Sequence, residues 1–242
     1  MNSEVQNNYY KTRKFHTKSF VDHLKSKYLN FTNKMEILEI LERLASFQDK
    51  CNTDKYHAFH TANKLKADNH PEWLIVVGLI HEIGKIIYLK GCDKDGTTEK
   101  EQWSIVGNTF AVGCKIPDSM VYNEFNHVNP DQINTYKDGC GLDKMTISFS
   151  HNEYSYQMLM FSKNKHKLPD IALYIIRYHS LYVHHQHRAY KRYESDLDRN
   201  YLKYLQLFQK YECSQENDTP YIDYVYYKEL LTKYFQNTFL YI

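Results

Sequence analysis

Leu79-Ile-His-Glu-Ile-Gly-Lys85 decides the reading of this chain, because it sets an adjacent histidine and carboxylate inside an otherwise apolar run. From Trp73 to Leu89 almost everything else is Ile, Val, Leu or Gly, the pattern of a buried helix. An ionised carboxylate in such a helix is costly unless something pairs with it, and a metal cation is the strongest partner available. His81 and Lys85 are four apart and Glu82 and Lys85 three apart, so the three polar groups can share part of one helix face. The plainer alternative is a Glu82–Lys85 ion pair beside a hydrogen-bonded core histidine, and this segment alone leaves both open.

Outward from this run the periodicity is helical. Met35–Ala45 is amphipathic, with Ile37, Leu38, Leu41 and Leu44 on one stripe, and Tyr56–Ala67 reads as a further helix that Asn69-His-Pro71 separates from Trp73–Leu89. Lys90–Ser150 carries six of the eight glycines and turn signals at Gly91, Asp95-Gly96, Asn129-Pro130 and Asp138-Gly139. So long an irregular segment inside a compact domain is usually functional, as a lid or a wall of a site. Helical pattern resumes at Glu153–Ser162, Asp170–Tyr182, Leu197–Tyr211 and Tyr224–Phe235. There is no internal repeat and no linker. The expected architecture is mainly α-helical, a single domain over residues 20–242 preceded by a short N-terminal segment, 1–19.

Composition narrows the function class. A length of 242 residues with 42% hydrophobic and 25% charged content is that of a globular protein with a substantial core. A net charge of +2 is too mild to argue for nucleic acid, and the basic clusters Lys11–Lys14, Lys163–Lys167 and His184–Arg192 read as solvated faces. The 23 tyrosines accompany many Lys, Asn and Ile, a drift towards AT-rich codons, and are not taken as a stacking surface. Five scattered cysteines without a Cys-x-x-Cys pair fit free thiols in a reducing compartment, and give no zinc-ribbon signal. No stretch supplies the roughly 18 apolar residues of a membrane helix, and the N-terminus lacks the apolar core of a signal peptide. A cytoplasmic protein is expected, with no membrane or nucleic-acid partner.

Of the 13 histidines, some must be incidental: His16, His23 and His70 lie in polar surroundings, and His184-His185-Gln-His187 has the basic neighbours of a surface loop rather than ligand spacing. His57, His81, His151 and His179 differ, each at or near an expected helix and beside apolar or aromatic residues. Four neutral imidazoles with two carboxylates would suit a pair of first-row metal ions, converging from separate helices on a core.

The same residues carry a family resemblance that runs from about Phe20 to Tyr241. It includes His57-Ala-Phe, Val77-Gly-Leu-Ile-His-Glu-Ile-Gly-Lys85, Gln102-Trp-Ser-Ile-Val-Gly-Asn-Thr-Phe110 and Val112-Gly-Cys114. It continues through Asn129-Pro-Asp131, Cys140-Gly-Leu-Asp143, Ser150-His-Asn-Glu-Tyr154, Arg177-Tyr-His-Ser180 and Lys233-Tyr-Phe. With these blocks in this order the chain resembles myo-inositol oxygenase, a helical family of the HD-domain superfamily. The resemblance implies two iron ions in a mixed-valent Fe(II)/Fe(III) pair, with dioxygen as co-substrate. It also implies a monomer that cleaves the ring of a small polyol to D-glucuronate. Carried over by position, the iron ligands fall on His57, His81, Glu82, His151, His179 and Glu212, with Glu82 bridging. Lys85 falls on the family's lysine at the substrate oxygen, and Gly107, Asn108 and Ser180 fall near its substrate-binding positions.

Departures from the family pattern are specific. Both ligand aspartates are glutamates here, at 82 and 212, and the aspartate beside Gly107 is Asn108. The acidic segment before His57 is shortened and reads Ser46-Phe-Gln-Asp-Lys-Cys, a family lysine aligns with Glu216, and the N-terminal segment with a substrate-binding arginine is absent. Glutamate remains a hard oxygen ligand, so a metal site is expected to survive, while recognition of the polyol has more changes to absorb. Two other classes compete: an HD-type metal-dependent phosphohydrolase, in which His81 and a carboxylate activate water on two metals, and a binding protein without catalysis.

Overall fold

The computed structural model of the chain describes residues 3–52, 54–213 and 218–242, and is mostly helical as the periodicity implies. Glu216 lies outside the described residues. Two helices that the sequence reading did not mark come first, α1 (Ser3–Phe15) and α2 (Lys18–Tyr28). Glu4 in the first turn of α1 and Arg13 and Lys14 in its last suit the helix dipole, and Thr17 caps α2 by accepting from the Phe20 N–H. A short strand β1 (Lys34–Glu36) leads into α3 (Ile37–Ala45), where Ile37, Ile40 and Leu41 are the buried face and Leu38 and Leu44 its half-buried flanks.

Helix α4 (His57–Ala67) and helix α5 (Glu72–Ile80) form the most extensively packed pair in the molecule. Everything in α5 from Leu74 to Ile80 is buried, because α4, α7 (Asp170–Tyr178) and α10 (Tyr224–Tyr234) surround it. The expected helix over Trp73–Leu89 does not run through. It stops at His81 and tightens into a 3-10 helix over Ile83–Lys90. Packing is the cause: a Cβ at Gly84 would lie 2.0 Å from the His151 carbonyl oxygen, so this backbone is pressed against the start of α6 (His151–Met160).

The middle segment is irregular as read, broken only by short 3-10 turns and one isolated bridge between Ala111 and Ile147. Beyond it, α8 (Tyr182–His185) and α9 (Asp196–Glu212) follow α7, and α9 begins with a capping box between Ser195 and Asp198. The final strand β2 (Phe239–Tyr241) pairs antiparallel with β1, Met35 opposite Leu240, and ties the end of the chain back beside α3. Two histidine readings need correction. His184 and His185 are buried rather than on a surface loop, with only Gln186 and His187 of that stretch exposed. His16 is fully buried too, its ring nitrogens 3.0 and 3.1 Å from the Thr12 and Phe149 carbonyls. Basic and polar neighbours in sequence say little where a short helix turns its side chains inward.

Candidate metal centre

Each sequence-nominated donor sits at the end of an element, where backbones converge and side chains can point at one place. His57 opens α4, His81 closes α5, Glu82 follows it, His151 opens α6, His179 closes α7 and Glu212 ends α9. Ligand atoms of His57, His81 and Glu212 lie within 4.8 Å of one another, all three residues buried. The His81 ring is 5.0 Å from that of His179, which in turn faces His151 with their Nε2 atoms 3.2 Å apart. Glu82 lies near enough to all four histidines for its charge to act on each of them.

The tautomers show which atoms are left over. His81 Nδ1 donates to the Gly78 carbonyl at 2.8 Å and His151 Nδ1 to that of Ile105 at 2.6 Å. The Nε2 of each is therefore a bare lone pair. Among the described residues, that of His81 is buried with no hydrogen-bond partner, and that of His151 faces another ring nitrogen. His179 Nδ1 lies between the Ile176 carbonyl (3.0 Å) and the Asn152 amide (2.9 Å), and His185 Nε2 donates to the His179 backbone carbonyl at 2.8 Å. An orphaned imidazole nitrogen beside two carboxylates fits a cation, and backbone carbonyls holding the opposite nitrogens are the usual support of ligating histidines.

Electrostatics agree with that reading. Burial pulls His81 down to about 3 and His151 to about 4, and holds His179 well below its ordinary value, so all three are neutral donors. Burial also acts on His57, but Glu82, Asp54 and Glu212 outweigh it and raise that group. Glu82 is held well below the usual carboxylate range, since Lys85 and then His57 and His81 offset its burial, whereas burial raises Glu212.

Lys85 is the cation already in place. Its side chain is only 5% exposed, which decides that both its partners are needed: it pairs with Glu82 and, at 2.6 Å, with Asp49 Oδ2. The expected shared face holds for Glu82 and Lys85 across the 3-10 turn, while His81 turns the other way to the Gly78 carbonyl. Gly107, Asn108 and Ser180 line a polar cavity of about 190 Å3 that also reaches Lys85, Glu82, His151 and His179. Gly107 has φ +84°, and a Cβ there would meet the Tyr9 hydroxyl at 3.1 Å.

Several residues at the site were not singled out from the sequence. Asp49 completes the Lys85 pair, Tyr9 lies on the cavity with its hydroxyl 3.4 Å from Asn108 Oδ1, and Tyr182 donates to Glu212 Oε1 at 2.6 Å. Asp54 accepts from His60 Nδ1 at 2.8 Å and stands 3.8 Å from His57 Nδ1. Only the carboxylates ahead of His57 left a sequence signal, as a charged stretch before a ligand.

Comparison with known proteins covers nearly the whole chain. The family model for myo-inositol oxygenase matches residues 2–241. A probable inositol oxygenase of Oryza sativa subsp. japonica is 37% identical, over 84% of this chain and 69% of its own length. Inositol oxygenase 1 of Arabidopsis thaliana is 36% identical, over 90% of this chain and 74% of its own. Inositol oxygenase of Homo sapiens is 34% identical, over 90% and 81%. Identity at this level along nearly the whole length shows that the chain belongs to the myo-inositol oxygenase family.

Proposed function

We propose that this protein is an iron-dependent oxygenase that uses dioxygen to open the ring of myo-inositol or a closely related polyol, yielding D-glucuronate from myo-inositol. The observation that carries the reading is the buried convergence of four imidazoles and two carboxylates beside a polar cavity whose floor is a lysine. His57, His81 and Glu212, together with Glu82, His151 and His179, would hold the iron. The iron pair would supply the Lewis acidity and electron transfer that oxidation of an alcohol carbon requires.

The remaining work falls to the chain. Lys85 engages Glu82 at Oε1, and both line the cavity where a substrate hydroxyl would sit. Asp49 and Glu82 together raise Lys85 above its ordinary value despite burial, so it stays charged and stabilises a developing alkoxide rather than acting as a base. Asn108, Ser180 and the Gly107 backbone are placed to read polyol hydroxyls, and Tyr9 covers them from α1 and excludes water. Lys85 is accordingly the catalytic residue, and Lys85, Gly107, Asn108 and Ser180 are the substrate contacts. The unit is residues 20–242 preceded by the segment 1–19, whose α1 contributes Tyr9 to the cavity, acting as a cytoplasmic monomer on a small molecule. No described helix is long and apolar enough to cross a membrane.

Iron-loaded protein under mild reduction should take up dioxygen with myo-inositol and form glucuronate in step with it. Bound iron without uptake, on myo-inositol and on related cyclitols alike, would overturn the reading. Phosphate release from nucleotides under the same conditions would move it to the phosphohydrolases.

A further inference from the structure

The centre is approached from two sides, and the second approach has a different chemistry. A cavity of about 210 Å3 lies between α3 and α4, apolar along Leu41, Leu44, Ala45, Phe47 and Phe59 and polar where Gln48, Asn52, Asp54 and Lys55 join its lining. It ends on Asp49, His57, Glu82 and Lys85, and these four side chains also border the polar cavity. The two spaces therefore meet at the Lys85 ion cluster. One offers hydroxyl, amide and backbone groups from Tyr9, Asn108 and Ser180. The wall from α3 offers the other nothing that hydrogen-bonds.

A polyol without its hydrogen bonds loses far more than it gains from apolar walls, so the polar cavity is its place. Once it sits there under Tyr9, that approach is filled. The co-substrate of an oxygenase is a small, uncharged, apolar gas that needs no hydrogen bond and favours apolar space over water. We infer that the cavity between α3 and α4 is a dioxygen site, which holds the gas and delivers it to the His57 and Glu82 side of the centre while the polyol occupies the other side. This rests on the oxygenase reading and adds to it a separate door for the second substrate.

Xenon tests the cavity without iron or turnover, since it enters apolar space of this kind. Crystals of the protein pressurised with xenon should show it against Leu41, Leu44 and Phe59, and its absence there would overturn the inference. Ala45→Trp tests the route: Ala45 is half-buried at the end of α3, so the indole can fill the cavity without entering the core. With the polyol saturating, the variant should raise KM for dioxygen by about tenfold, leaving kcat and KM for the polyol within about twofold. Leu44→Trp, also half-buried on that wall, repeats the measurement should Ala45→Trp fold poorly. An unchanged KM for dioxygen in a folded variant overturns the route alone. A raised KM for the polyol instead gives the cavity to part of the polyol and overturns it as well. Absence of oxygen uptake by the unaltered protein is a different failure, that of the oxygenase reading itself.

Discussion

Glu212 accepts a hydrogen bond from Tyr182 at Oε1 and lies with Oε2 4.0 Å from His57 Nε2, so the phenol divides this carboxylate between a protein partner and the histidine cluster. A glutamate has one more rotatable bond than an aspartate, and buried without a fixed partner it would sample positions that no metal could use. The hydroxyl of Tyr182 removes that freedom. Tyr182→Phe keeps the ring and deletes only the donor, and is expected to lower iron affinity at the His57–His81–Glu212 site by about tenfold while the helical content stays unchanged. Chelator competition followed by metal analysis measures it, and an unchanged affinity would remove Tyr182 from the support of the site. This pair also shows what a sequence makes legible at the scale of one residue. Imidazoles and carboxylates announce themselves by type, so the six donors could be nominated, whereas a tyrosine among 23 has nothing local to mark it. Tyr9 escaped for the same reason: its meaning lies in what it touches across the fold.

Elements were readable where one face is apolar and opaque where a contact ends them. α4, α9 and α10 follow their hydrophobic pattern to within a residue or two, and the glycine-rich middle is irregular as its turn signals indicate. The break after α5 has no such signal, because Ile83, Ile86 and Ile87 continue an apolar run that is buried on every side. What ends the helix is the approach of α6 at Gly84, a contact between residues far apart in the chain. α7 likewise stops at Tyr178, short of the expected Tyr182, and this frees His179 to turn towards the centre. Gly84→Ala puts this to the test. Its methyl would meet Ser155 Oγ at 2.6 Å, and also the His151 carbonyl and the Ser155 N–H, two backbone groups that cannot move aside as a side chain can. Overpacking of that kind costs about 3 kcal/mol, and here it also separates Glu82 and Lys85 from His151. Urea unfolding should show the loss of stability, together with loss of stoichiometric iron. A variant as stable as the parent would mean that the 3-10 segment and α6 can part without harm.

Across the whole molecule the donors come from α4, the end of α5, α6, α7 and α9, so one small cluster joins five helices that are otherwise held by apolar packing. Without a metal ion, that joint brings together bare imidazole nitrogens and the three carboxylates of Asp49, Glu82 and Glu212 with Lys85, an arrangement that favours the folded state less than a hydrocarbon core of the same size would. The unfolded chain scatters the same residues and binds iron far more weakly. Binding that is confined to the folded state stabilises it by about 2.7 kcal/mol at a free metal concentration one hundred times the dissociation constant. For a chain of this length that corresponds to a rise in Tm of about 5–10 °C. Calorimetry of the iron-loaded protein should show the rise as a single shifted transition, since all five helices share the joint, and a chelator should reverse it. His179→Ala should retain the fold and lose most of the shift, because it opens the joint on the side of α7 and α6. Stoichiometric iron with no change in Tm would place the metal on the surface instead, and would separate membership of the family from possession of its metal centre.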